Sequence, residues 1–307
     1  MGRFVVKRVV QGVVVVLLVV VVVFVVTRMV GDPVKFILPL EATEEQRDAR
    51  SEELGFDRPI PVQFADYVGD LAVGDFGDSL SERGESTMAI VGRVLPKTLQ
   101  LVFAGLALAL VLALFFGCIA ALRPNSWLDR LMVTTSLAGL SVPQFWLGLI
   151  LIVVFGVQLN LLPTSGAGGW DHLILPALTL GLPAAGRLAM VVRSAMIDEL
   201  NSQYVKVAKA KGIAFRRVVG LHALRNAAIP IVTLFGWELI RALAGYSVVV
   251  ETVFDWPGLG DKALDAIRLR DLFLVQTIVL VVAVMVVVIN VIVDVLYKFI
   301  DPRIKVA

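Results

Sequence analysis

Of the 54 charged residues in this 307-residue chain, only Arg187, Glu238, Arg241 and Asp294 fall inside its six long apolar segments. The segments run from Val9 to Val26, Leu99 to Leu122, Leu131 to Val157, Leu173 to Val192, Ala227 to Val250 and Leu272 to Leu296. Each is close to or above the roughly 18 residues needed to cross a bilayer. None alternates with the period of two that a membrane barrel strand requires, so the backbone must satisfy itself as helix. That holds even for the first segment, where 13 of 18 residues are valine, because lipid leaves a β-branched run no better solution. The predicted fold class is an all-α integral membrane protein with six transmembrane helices. At 58% hydrophobic residues a soluble enzyme is excluded, and a net charge of +2 leaves no broad basic field for nucleic acid. The single Cys118 rules out a disulfide framework, and His172 and His222 are too few and too far apart for a metal site.

Charge sets the topology. Arg3, Lys7 and Arg8 precede the first segment, whose apolar run exceeds the roughly 7 to 15 residues of a signal-peptide core and lacks a cleavage pattern after Val26. A retained anchor is expected. From Arg187 to Arg225 eight basic residues face only Asp198 and Glu199, whereas Gln158 to His172 holds no Lys or Arg. The positive-inside rule then places both termini, the basic stretch and Lys298, Arg303 and Lys305 in the cytoplasm. The stretch from Thr27 to Thr98, with 14 acidic and 8 basic residues, faces outward. Within it Thr43 and Gln46 read as a capping box, with a helix running to Leu54 and Gly55 at its C′ position. Pro59 and Pro61 break the chain beyond it. A solvated cap and a docking surface for an extracytoplasmic partner both fit this stretch. The predicted organisation is a transmembrane helix at 1–27, an outer region at 28–98, a five-helix core at 99–300 with a cytoplasmic loop at 193–226, and a tail at 301–307.

Catalytic signatures are missing. There is no Gly-Lys pair for a phosphate loop, no G-x-S-x-G elbow and no H-E-x-x-H pair. Energy for any work must therefore enter through a partner or an ion gradient. The most informative stretch is Arg193 to Pro230, where Met196, Leu200, Tyr204 and Ala208 recur every four residues as an apolar stripe, with Lys206 and Lys209 on another face. Gly212 is placed to stop that helix, and a second short helix is expected from Ala214 to Leu224. Topology alone explains the basic residues of this knob. It does not explain the apolar ridge or the glycine stop.

Glu238 and Arg241 sit three apart near the middle of the fifth span. Its eleven strongly apolar residues favour insertion by about 5 kcal/mol, while two central charges oppose it by about 6 kcal/mol. The pair must therefore face itself, another helix or water. An internal ion pair that fixes packing or a gate is the favoured reading, and a polar point on a translocation path that reads charged peptide termini is the second. Arg187, near the inner end of its span, is expected to snorkel. Asp294 and Lys298 are spaced as a local pair. Pro143 with Gln144, and Pro176 and Pro183, predict kinked helices lining a cavity.

The segment YVKVAKAKGIAFRRVVGLHALRNAAIP, Tyr204 to Pro230, resembles the EAA loop of ATP-binding-cassette importer permeases, in the form used by the dipeptide, oligopeptide and nickel family. The likeness extends along nearly the whole chain through GDPV from Gly31, LPKTLQL from Leu95, SVPQFWLGLIL from Ser141, LPTSG from Leu162, ETVFDWPGLG from Glu251 and DPRI from Asp301. Gly212 and Ala208 match the glycine and second alanine of EAA-x3-G, while Lys206 and Val207 replace its glutamate and first alanine, as peptide-type members commonly do. The resemblance implies a type I importer permease fold. It implies an ATPase-coupling loop at Tyr204, Lys206, Val207, Ala208, Lys209, Ala210, Lys211, Gly212, Phe215, Arg216 and Arg217. It also implies a second homologous permease, two cytosolic ATP-binding subunits holding ATP and Mg, and an extracytoplasmic substrate-binding protein, in a bacterial cytoplasmic membrane. The chain itself is then expected to bind no cofactor and no metal and to catalyse nothing. Glu238 and Arg241 are not part of the family pattern and stand, with Gln144 and Pro143, as candidate pathway or gate residues.

Import of di- or oligopeptides is the expected function. Nickel or a chelate, glutathione and oligosaccharides are the alternatives within the class, and the absence of a His or Cys cluster on the path weighs against a direct metal carrier. A self-sufficient ion-coupled transporter is the alternative from another class. It would leave the cytoplasmic knob idle, and no internal repeat of the kind common in such carriers is visible.

Overall fold

The computed structural model of the chain describes residues 2–29, 38, 42–53, 55–82 and 84–300. The GDPV and DPRI motifs, Leu54, the tail at 301–307 and the Lys298 side chain expected to pair with Asp294 lie outside the described residues. Among the described residues the regular elements are all helices, and one isolated bridge joins Asp78 to Ser86. Helix α1 (Gly2–Met29) is followed by α2 (Glu44–Glu53), α3 (Ile60–Val73) and α4 (Thr87–Leu122). Helices α5 (Trp127–Ser141) and α6 (Gln144–Leu151) come next, α6 running on as a π-helix over Ile152–Gln158. Then come α7 (Asp171–Leu200) and α8 (Gln203–Ala210). Helices α9 (Phe215–Arg217) and α10 (Leu224–Arg241) are joined by π-helical Val218–Ala223, and α10 passes to α11 (Ser247–Phe254) through Ala242–Tyr246, which is kinked at the non-helical Gly245 (φ 177°, ψ −29°). The chain closes on α12 (Leu259–Arg268) and α13 (Leu272–Ile300).

Five helical stretches are long and apolar enough to cross a membrane: Val6–Met29, Thr87–Leu122, Asp171–Leu200, Phe215–Phe254 and Leu272–Leu296. The expected third span is two helices, α5 and α6 with its π extension, bent by 102°. Pro143 is the cause. Its ring forces Val142 into an extended conformation, φ −86° and ψ 124°, and supplies no N–H to continue α5. The kink expected there is thus a complete break. By contrast Pro176 and Pro183 lie inside the uninterrupted α7. Helix α4 begins at Thr87, well before Leu99, so the last part of the expected outer loop is helix.

The chain forms two compact units, residues 1–97 with 257–288, and 98–256 with 289–307. In the first, the capping box at α2 closes in both directions, Thr43 N–H donating to Gln46 Oε1 (3.1 Å) and Gln46 N–H to Thr43 Oγ1 (3.3 Å). Pro59 and Pro61 do more than break the chain. Pro59 is the N-cap of α3 and Pro61 sits in its first turn, where a missing N–H costs no helical bond. Helix α3 rests on the end of α1 through Phe24, which contacts Phe64 edge-on and stacks on Tyr67. Arg28 Nε donates to Gln63 Oε1 (2.8 Å). Burial pushes the Tyr67 phenol up to about 12, against the opposing pull of Arg28.

The loop at 74–86 is tied to the start of α13 by Asp271, which is fully buried. Its Oδ2 accepts from Ser79 Oγ (2.5 Å), Ser81 N (2.9 Å) and Ser81 Oγ (2.8 Å), and its Oδ1 accepts from Leu274 N (3.1 Å). Burial opposes ionisation, but these donors outweigh it and hold the carboxyl below the usual carboxylate range. A carboxyl depressed in the folded state contributes stability that is present above its unfolded pKa of about 3.9 and lost as pH falls through the lower folded value. Hydrogen exchange at 74–86 should therefore speed up in the wild type below about pH 4. Asp271→Asn should flatten that acid response, and an unchanged pH profile in the variant would contradict the assignment.

In the second unit α7 is the central helix, against which α5, α6, α10 and α11 pack. Helix α4 approaches α7 closely at glycines. A Cβ on Gly117 would stand 2.8 Å from the Ala189 carbonyl oxygen, and one on Gly181 would collide with that of Gly105. Small residues let membrane helices pack backbone to backbone where no hydrophobic force drives them together. Two residues of the quoted motifs meet here, Thr98 Oγ1 donating to the buried Glu251 Oε1 (2.7 Å).

Candidate functional site

Helix α8 ends in a Schellman motif. Lys211 is the C-cap and Gly212 adopts φ +74°. The Gly212 N–H donates to the Lys209 carbonyl (3.0 Å) and the Ile213 N–H to the Ala208 carbonyl (3.2 Å). Ile213 folds back onto a small apolar cluster of Val205, Ala208 and Val218. This cluster fixes α8 against the start of the following helix.

The apolar ridge differs from the expected one. Helix α7 carries Met196 and Leu200 and then ends, so Tyr204 and Ala208 stand on a separate helix. Met196 and Ala208 are buried, but Tyr204 is exposed and its hydroxyl donates to Glu199 Oε2 (2.5 Å) across the break. The buried contact is made by Val205, which the four-residue spacing passes over. Nor does the second knob helix stop at Leu224. It continues through π-helical Val218–Ala223, which includes His222, into α10. The outer face of the knob exposes Lys206, Val207, Lys209, Ala210, Lys211, Phe215, Arg216 and Arg217, with Lys209 Nζ 5.3 Å from the centre of the Phe215 ring. A basic rim around exposed apolar side chains suits a protein groove better than water.

The second constellation surrounds Glu238, which is 2% exposed. Its main partner is Arg187, from α7: Nε donates to Oε1 (2.6 Å) and Nη2 to Oε2 (2.7 Å). Arg241 is secondary, with Nη1 3.7 Å from Oε1. Arg241 also donates to the Tyr246 hydroxyl and lies 4.9 Å from the centre of that ring. Arg187 thus does not snorkel but closes a two-point bridge between α7 and α10. No local spacing marks a partner 51 residues away. The one signal available was that Arg187, Glu238 and Arg241 are among only four charges inside the chain's apolar segments. A cavity of about 310 Å³ opens beside the cluster, lined by Gln144, Pro183, Arg187, Glu238 and Tyr246 among apolar neighbours. Pro143 is exposed and does not line it.

A second bidentate bridge was not anticipated. Arg193 of α7 pairs through Nε and Nη2 with Asp129 of α5, a side chain 3% exposed. Asp129 also accepts from Asn125 N–H (2.8 Å) while its own N–H is capped by Ser126 Oγ (3.3 Å). Two planar guanidinium forks on one helix therefore set its position against α5 and α10.

Residues 113–306 match the family described as binding-protein-dependent transport system inner membrane component, and residues 1–103 match its N-terminal part. The glutathione transport system permease protein GsiC of Escherichia coli K12 is 40% identical over 306 residues, covering 99% of both chains. GsiC of Salmonella typhimurium LT2 is 41% identical over 275 residues, 90% of this chain and 89% of that one. Among solved structures, an inward-facing MetNI methionine ABC transporter chain superposes with a TM-score of 0.60 at 20% identity, over 69% of this chain and 97% of that one. The fold is thus that of an ABC importer permease, and such subunits carry no cofactor, ATP being hydrolysed by the partner ATPase. The chain belongs to the inner membrane permease family of binding-protein-dependent ABC importers, the part of the family that includes the glutathione permeases.

Proposed function

We propose that this permease forms half of the path through which an ATP-driven importer brings short peptides into the cell, with Tyr204 to Arg217 receiving the stroke of a cytosolic ATPase. The knob carries this reading. Its Schellman-capped α8, braced by Val205, Ala208, Ile213 and Val218, presents an exposed mixed basic and apolar face at a fixed angle to α10. Closure of two ATPase subunits would be passed through α8 into the long helix beginning at Phe215. The positive-inside rule puts the knob and both termini in the cytoplasm. A second permease completes the path, and an extracytoplasmic binding protein delivers the substrate. Peptide cargo is favoured because relatives sharing about two-fifths of the sequence over nearly its full length are glutathione permeases, and glutathione is a tripeptide.

The test is reconstitution in proteoliposomes with the partner permease, both ATPases and the binding protein. ATP-dependent accumulation of a dipeptide or of glutathione is expected. Accumulation driven by an ion gradient without ATP, or confined to nickel or an oligosaccharide, would overturn the proposal.

A further inference from the structure

We infer that the cavity beside Arg187, Glu238 and Arg241 is a binding site for a carboxylate of the peptide in transit; this rests on the peptide-import reading above. Two guanidiniums share one carboxylate, so the cluster is one anion short of neutral. Among the described residues Glu238 is the only acid paired with either arginine. Glu238 engages Nε and Nη2 of Arg187, leaving Nη1 for another acceptor, and its contact with Arg241 is loose at 3.7 Å. Membrane-embedded cations are tolerated where an anion or water meets them, and they mark pathways for that reason.

The cluster is open to such a ligand. The Arg241 side chain is 40% exposed and that of Arg187 is 21% exposed, although Glu238 is sealed at 2%. Acid and bases thus differ in access. Arg187 lines the cavity, while Arg241 lies outside its lining and adjoins it through Glu238 and Tyr246, so a visiting carboxylate can meet Arg187 without displacing Glu238 and set its charge against that of the neighbouring Arg241. The segment Ala242–Tyr246 adds to this arrangement: the helix is kinked at the non-helical Gly245 (φ 177°, ψ −29°), and the Tyr246 ring lies over Arg241, 4.9 Å from its guanidinium carbon. Tyr246, whose hydroxyl accepts from Arg241, is part of the cavity wall. Gln144, which begins α6 directly after the break at Pro143, lines the same space. A volume of about 310 Å³ is at the small end of ligand clefts. It suits a terminal residue with its carboxylate and excludes a folded oligopeptide.

The experiment measures equilibrium binding of labelled glutathione, and of glutathione dimethyl ester, to the permease–ATPase complex in nanodiscs without the binding protein. Wild type should bind glutathione at least tenfold more tightly than the ester. Arg241→Gln should lose at least tenfold for glutathione and leave ester binding unchanged, and Arg241→Lys should recover part of the loss. An Arg241→Gln variant that assembles normally and binds glutathione like the wild type overturns the site, as does equal loss for glutathione and ester. Absence of glutathione binding by the wild type also overturns it. ATP-driven glutathione uptake by the same wild-type complex separates the two ideas: uptake without a carboxylate effect rejects the site alone, whereas failure to take up any peptide rejects the peptide reading itself.

Discussion

Glu238→Ala is expected to destabilise the second unit by about 3 to 5 kcal/mol, the range seen when one partner of a buried ion pair is removed. The reason is the state left behind. Arg187 loses both of its charge-assisted bonds, at 2.6 and 2.7 Å, and two guanidiniums then face each other across the α7–α10 contact. The size of the effect therefore measures the uncompensated charge more than the value of the pair. A second variant makes the distinction. Replacing both residues, Glu238→Leu with Arg187→Leu, removes the charges together and should recover most of the loss, because apolar replacement of a buried pair is often neutral or stabilising. Thermal unfolding of the purified permease in detergent, run as a double-mutant cycle, reads both. A single variant within about 0.5 kcal/mol of wild type, the usual range for surface changes, would show that the bridge does not hold α7 to α10.

The second large effect is on transport. Gly212→Pro is expected to leave the permease in the membrane and to abolish peptide uptake, by at least a hundredfold, while the ATPase continues to turn over. Proline fixes φ near −65°, whereas residue 212 requires +74°. It also removes the N–H that donates to the Lys209 carbonyl. The turn between α8 and the next helix must then open, and the ATPase would move a knob no longer rigidly joined to the spans. Gly212→Asn is the control, since asparagine visits the left-handed region at small cost, and it should keep most of the uptake. Normal substrate-stimulated uptake by Gly212→Pro would refute the coupling role of this segment.

How far the sequence could be read depended on the range of each interaction. The Gly212 stop, the Thr43–Gln46 box and the apolar spans are local, and each depends on residues within a turn or a single helix. The four-residue repeat does not mark the buried ridge, because Asn201 and Ser202 interrupt it where α7 ends and α8 begins. Periodicity holds only inside one helix. Val205 rather than Tyr204 is buried because α8 starts a new register after that break, and the kink at Gly245 is what a helical repeat could not foresee between Arg241 and Tyr246. Proline gave an ambiguous signal: Pro143 ends a helix at a 102° bend, while Pro176 and Pro183 stay within one.

By itself the sequence determined that the chain is a bundle of apolar helices, because hydration of charge and backbone leaves lipid-spanning segments few alternatives. It also determined the family, through several motifs in order. Only the tertiary structure decided which group meets each buried charge. Arg187 with Glu238, Arg193 with Asp129, and Asp271 with Ser79 lie 51, 64 and 192 residues apart. Such pairs are set by how helices cross, and a buried charge takes whichever partner the packing brings within hydrogen-bond reach.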